Sequence, residues 1–225
     1  MKLKVLALGT LLLATVSTSL FAQKSSIIIR GGVNFANISN NDDGGYDDSK
    51  MNTGWQAGVI ADLNITEFLA IQPGLLYTTK GVKWENGDEG SALYQKLEFN
   101  PQYIEVPVNL VFKTPTGAAK FFVGAGPYAA VGVAGKFKGE GVFDFSRKIQ
   151  FSDDDPLTSE EEGAGAFTVK RFDYGLNGLV GVEASNLVIT ANYGLGLAKI
   201  RSNTDNSDGE NNKHRVFSVT LGFKF

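Results

Sequence analysis

The chain has 225 residues, 43% of them hydrophobic, 11% aromatic and 20% charged, with 27 glycines, one histidine and no cysteine. It is too apolar and aromatic for a disordered chain, and the lack of cysteine removes disulfide scaffolds, zinc ribbons and thiol enzymes. The formal charge is −3, with no basic tract, which argues against nucleic acid as a partner.

Residues 1–22 form the pattern of a secretory signal peptide. Lys2 and Lys4 give a positive start, residues 5–16 an apolar stretch, and residues 17–22 a run of mostly small side chains ending at Ala22. The stretch is too short for a spanning helix, which needs ~20 apolar residues. Removing it takes away two lysines and moves the formal charge from −3 to −5. The expected organisation is therefore a signal peptide over 1–22 and one β-rich domain over 23–225.

From Ile27 onward the hydropathy alternates with period two, the signature of strands with one apolar face. In chain order, Ile27 to Phe35 set apolar or small odd positions against Arg30, Gly32 and Asn34. Trp55, Val59 and Leu63 alternate with Gln56, Gly58 and Asp62. Leu69, Ile71, Leu75 and Tyr77 alternate with Gln72, Gly74 and Thr78. Further segments begin at Ile104, Phe121, Phe172, Leu187 and Phe217, each with the same two-residue beat. The count is eight strands.

Links 64–67, 113–119 and 184–186 are short, whereas 38–54, 80–102, 135–170 and 199–214 are long and rich in Asp, Asn, Gly and Glu. Strict alternation of short and long links, starting with a long one, predicts an all-β, eight-stranded antiparallel up-and-down transmembrane β-barrel of outer-membrane type. Both termini then fall on the periplasmic rim. The second face carries Gly, Asn, Gln, Asp, Glu and Arg, which suit a narrow polar interior. The continuous apolar face would be an aggregation hazard in water, so it should face outer-membrane lipid.

Aromatic residues support this depth assignment. Phe35, Trp55, Tyr77, Phe172, Tyr174 and Phe217 fall near the long-link ends, and Phe68, Phe112, Phe121, Phe223 and Phe225 near the short-link ends. Phe68 departs in facing and Tyr193 in depth. Pro73, Pro107 and Pro127 lie inside expected strands, where the missing donor predicts local bulges and a shift in facing beyond each.

The segments YIEVPVNLVFK (103–113), FFVGAGPYAAVG (121–132), YGLNGLVGVEASNLVITANYGLGLAKI (174–200) and VTLGFKF (219–225) resemble the outer-membrane β-barrel family that includes the PorT-like proteins. This resemblance implies fold and location over nearly the whole mature chain. It also implies recognition of the terminal Phe225 by the barrel-assembly machinery. Some members, PorT among them, are tied to secretion, but no motif assigns that role to this chain.

Inward charges Arg30, Asp62, Glu105, Asp173, Glu183 and Lys224 are expected to pair inside the barrel, because an unpaired buried charge is costly. Arg30, Asp62, Glu183 and Lys224 should lie toward the periplasmic end. His214, expected at the end of the last loop, has Ser218 and Glu210 nearby, the elements of a hydrolase on a barrel rim. The acidic clusters Asp42–Asp43, Asp47–Asp48, Asp153–Asp155 and Glu160–Glu162 lack calcium-loop spacing and read as solvated loop. No cofactor, metal or catalytic residue is assigned. The reading favoured is a non-enzymatic barrel with a structural role or with loops that bind a surface or secretion-system partner; the alternatives are a narrow pore for small solutes and a lipid-modifying enzyme.

Overall fold

The computed structural model describes residues 25–39, 49–87, 94–115, 117, 119–141, 144–152, 168–200 and 213–225. Twelve strands run through them: β1 (Ser26–Ser39), β2 (Ser49–Asn64), β3 (Leu69–Thr79), β4 (Val82–Asn86), β5 (Gln95–Lys113), β6 (Ala119–Glu140), β7 (Phe145–Lys148), β8 (Gln150–Ser152), β9 (Thr168–Lys170), β10 (Phe172–Ala184), β11 (Leu187–Gly196) and β12 (Lys213–Lys224). Eight of them form a ring in the order β1-β2-β3-β5-β6-β10-β11-β12, and β12 returns to β1. Every pairing in the ring is antiparallel, and closure sets Ile28 opposite Lys224 and Ser39 opposite Lys213. At the seam the Phe225 amide donates to the Ile27 carbonyl at 2.9 Å. Closure leaves no sheet edge to meet hydrocarbon.

One rim holds both chain ends of the barrel and three short links. In the link 65–68 the amides of Ile65 and Thr66 both donate to the Leu69 carbonyl, at 2.8 and 3.0 Å. The two-residue link after β10 turns through Ser185 at φ 54°, the left-handed backbone that such hairpins require. The opposite rim is more structured than its polar sequence predicts. β2, β5 and β6 run on past the apolar belt, β4 pairs with both β2 and β5, and β7 extends β6. A short parallel pair, β8 with β9, lies in the link after β7. Beneath this extension Val82, Phe99, Phe137, Ile149, Val169 and Ile200 form their own apolar cluster. The regions 80–102 and 135–170 look like loop in sequence because charged residues occupy the outer positions and mask a sparse inward apolar beat.

Burial follows the alternation. Val123, Val180 and Leu221 on the outer wall are 54–58% exposed, while the residues between them face inward. Phe35 stacks on Phe217 at 6.3 Å and Trp55 on Tyr77 at 5.3 Å near the long-link rim; Phe223 and Phe225 meet edge-on at 4.9 Å near the other. The interior departs from the all-polar expectation. Ile28, Ile60, Leu76, Val111, Phe122, Leu179 and Val188 make a buried apolar layer inside the ring. Along β5 and β10 this layer separates Lys113 and Glu183 at the short-link end from Glu105 and Asp173 beyond it.

The prolines do not shift the register. Pro73 stays opposite Val108, Pro107 opposite Tyr128 and Pro127 opposite Leu176, and the facing continues unchanged past all three. Losing one donor weakens the ladder locally, whereas a bulge needs an inserted residue. The insertion lies elsewhere, beside Pro101. Gln102 faces Ala134 and Tyr103 faces Gly132, so Val133 is the extra residue and the facing of β6 slips by one above it.

Inward glycines let neighbouring strands approach. A Cβ on Gly126 would run into the Val108 carbonyl and the Asn109 backbone, whereas one on Gly178 would meet nothing within 4 Å. Gly126→Ala should therefore lower the unfolding free energy by ~1–3 kcal/mol. Gly178→Ala should change it by less than ~0.5 kcal/mol. Urea unfolding in lipid vesicles, followed by tryptophan fluorescence, measures both.

Candidate functional site

The interior charges form two clusters separated by the apolar layer. At the short-link end Asp62, on the last turn-proximal stretch of β2, is fully buried. Lys113 Nζ donates to both its carboxylate oxygens at 2.6 Å, and Lys224 Nζ lies 2.9 Å from Oδ2. Gln72 Nε2 adds a bond to Oδ1 at 2.9 Å. Lys224 Nζ also reaches Glu183 Oε1 at 2.7 Å, so two lysines and two carboxylates alternate across β2, β5, β12 and β10. Lys113 Nζ further donates to Asn64 Oδ1 at 3.0 Å. Charge is balanced, and Lys113 uses all three of its ammonium donors.

The second cluster centres on Lys80, whose side chain is 3% exposed just beyond β3. Its Nζ lies 2.7 Å from Glu105 Oε2 and 2.8 Å from Asp173 Oδ2. The ammonium also sits 4.2 Å from the Tyr128 ring centroid, a cation–π contact. Tyr128 donates its hydroxyl proton to Asp173 Oδ2 at 3.2 Å. Tyr103, 5.4 Å from the same ammonium, places its hydroxyl 3.3 Å from His214 Nε2.

Asp62, Glu183 and Lys224 thus come together, whereas Glu105 joins Asp173 in the other cluster. Arg30 is 8% exposed and forms no ion pair among the described residues. It lines a small void between Gln72, Phe122 and Thr220. Lys80 and Lys113 are absent from the inward charges expected from sequence because they are the first residues of the links 80–102 and 113–119. Their signal was parity: Lys113 continues the inward series Glu105, Asn109, Val111, and Lys80 continues Gln72, Leu76, Thr78.

His214 also moves. It belongs to β12 rather than to a loop, is 1% exposed, and packs edge-on against Tyr103 at 5.6 Å between ring centroids. Ser218 is fully buried on the same strand. Strand pairing carries β12 up to Lys213, opposite Ser39, which draws the histidine into the wall and away from a rim where lipid could reach it. Glu210 and the acidic clusters at 42–48, 153–155 and 160–162 lie outside the described residues. Among the described residues no three His, Asp or Glu side chains converge as a metal site.

The closed eight-strand ring, its apolar outer wall and its paired interior set the context for comparison with known proteins. The profile of the outer membrane protein beta-barrel domain family matches residues 21–202. The chain belongs to this family. Its members are proteins of the cell outer membrane, so the apolar wall faces lipid. The chain is also similar to solved structures of low identity. Ail, the attachment invasion locus protein of Yersinia pestis, solved with the heparin analogue sucrose octasulfate, is 16% identical, with 90% of this chain and all of Ail covered at a TM-score of 0.43. Neisserial surface protein A is 13% identical over 90% of this chain and all of that one, at 0.45. OprG from Pseudomonas aeruginosa is 15% identical over 89% and 96%, at 0.45. No curated protein matches the chain in sequence.

Removing Asp62 would strand Lys113 and leave Lys224 with Glu183 alone. Asp62→Ala should cost ~3–5 kcal/mol of stability. The double replacement Asp62→Leu/Lys113→Met should cost less than the sum of its single changes, because it removes charge and countercharge together. Unfolding of the three variants in lipid vesicles checks this.

Proposed function

We propose that the protein is a small, non-enzymatic outer-membrane barrel with a structural or partner-binding role, presenting the β4–β7 extension and the long links at the cell surface. The observation that carries this reading is the filled interior. One balanced charge cluster, a second in which Lys80 joins Glu105 and Asp173, and a layer of Ile60, Phe122, Leu179 and their neighbours fill the bore at successive levels. Eight strands enclose an interior just wide enough for such side chains. A solute path would require both ion-pair clusters and the apolar layer to part.

In this reading residues 1–22 are a signal peptide removed near Ala22, residues 23–225 form the barrel, and the chain ends and short links face the periplasm. The exposed terminal Phe225 supports recognition by the assembly machinery. Kinship with PorT-like proteins, and with it a secretion-system partner, is supported by the sequence segments 103–132 and 174–225. Buried His214 gives no support to lipid chemistry at a rim.

Two measurements test the reading. Purified protein in planar bilayers should pass no steady current, and a stable unitary conductance would exclude the filled-bore account. Because the chain has no cysteine, orientation can be read with introduced thiols. Ser146→Cys should react with an impermeant maleimide in intact cells, and Asn186→Cys should not.

A further inference from the structure

Above the lipid belt the outer wall changes from apolar to charged. On the extension, Lys50 of β2, Lys83 and Glu85 of β4, Lys96 and Glu98 of β5 and Glu140 of β6 share the outward face. They neutralise one another. Glu85 takes Lys50 at 2.8 Å and Lys83; Lys96 takes Glu98 at 2.8 Å and Glu140 at 3.3 Å. The hydrogen bonds from Lys50 and Lys83 hold the Glu85 carboxyl down at about 2. Three cations meet three carboxylates.

The next two strands break this balance. Lys136 and Lys138 of β6 and Lys148 of β7 are exposed on the same face, and among the described residues none of the three is in an ion pair. Lys136 and Lys148 stand directly opposite each other across the β6–β7 pair. Like charges at directly opposed positions destabilise a sheet. The bulge at Val133 is what turns these lysines outward, since it reverses the facing of β6 above the belt.

Their height fixes what they meet. Lys136 is two residues beyond Ala134, the last apolar residue exposed on the outer wall of β6. That is ~7 Å along the strand and, with the tilt of such barrels, ~5 Å along the membrane normal. The headgroup layer on each side of a bilayer is ~5–7 Å thick. Lys136 and the opposed Lys148 therefore stand at its level, with Lys138 ~5 Å higher on the same wall.

We propose that Lys136, Lys138 and Lys148 form a binding surface for phosphate groups of outer-leaflet lipid headgroups. One phosphate bridging Lys136 and Lys148 would turn their repulsion into attraction, and it would anchor the extension to the membrane surface. This inference uses the proposed orientation only to choose the leaflet. Vesicles carrying the probe lipid in both leaflets read binding whichever way the barrel inserts.

The test compares the full mature chain with the variant Lys136→Gln/Lys138→Gln/Lys148→Gln and with the corresponding triple arginine variant. Each is reconstituted in phosphatidylcholine vesicles with and without lipid A, and lipid A retained through detergent extraction is quantified. Wild type and the arginine variant should retain at least about tenfold more than the glutamine variant, since each basic residue near an anionic surface adds to the attraction. Inorganic phosphate at millimolar concentration should not abolish the difference. Equal retention by the glutamine variant would overturn the proposal. So would loss of the difference in free phosphate, which would make the surface a site for soluble anions. Matching unfolding midpoints in phosphatidylcholine alone show that the substitutions act on binding and not on folding.

Discussion

A peptide group in hydrocarbon has no water to bond with, and each unsatisfied N–H or C=O there costs several kcal/mol. Every other feature of this barrel follows from meeting that demand with eight strands. The β1–β12 pairing supplies the last ladder, twelve residue pairs from Ile28–Lys224 to Ser39–Lys213. Without it two long strands would present open edges to acyl chains. Once the ring is closed, the two-residue beat has only one arrangement available, with apolar side chains outward and the remainder sealed inside.

Sealing the remainder creates a second problem, because an eight-stranded bore excludes bulk water yet holds charged side chains. The chain solves it by sorting. Asp62, Lys113, Glu183 and Lys224 balance one another at one level, Lys80 bridges Glu105 and Asp173 at another, and aliphatic and aromatic side chains lie between. Lysine serves both clusters because its ammonium can bond three acceptors in different directions, as Lys113 does with two residues and Lys80 with carboxylates from two distant strands. Inward glycines such as Gly126 leave room for this by allowing neighbouring backbones to approach.

Outside the lipid the constraints relax, and the strands continue for a different reason. The extension of β2, β5 and β6 with β4 and β7 is held from below by the Val82–Phe99–Phe137 cluster and from above by lysine–glutamate pairs. Individually such exposed pairs contribute little, but as a lattice they fix the register of strands that have solvent on one side. Family membership accounts for the barrel. The basic edge at Lys136, Lys138 and Lys148 is a property of this chain's own surface.

The sequence by itself determined the eight-strand ring, the outward face and the two rims, because strand alternation and link length are local properties that survive any choice of partner. It also determined that Asp62, Glu105, Asp173 and Glu183 turn inward, since parity follows from neighbours on the same strand. Which charges pair is another matter: Asp62 meets Lys113 across 51 residues and Lys80 meets Asp173 across 93. Such partners depend on ring closure and shear, which no single strand encodes. The same holds for His214, drawn into the wall by its pairing partner β1, and for the slip at Val133, which exists only as a mismatch between two strands. Local chemistry decided which way each side chain turns; only the closed ring decided what it meets there.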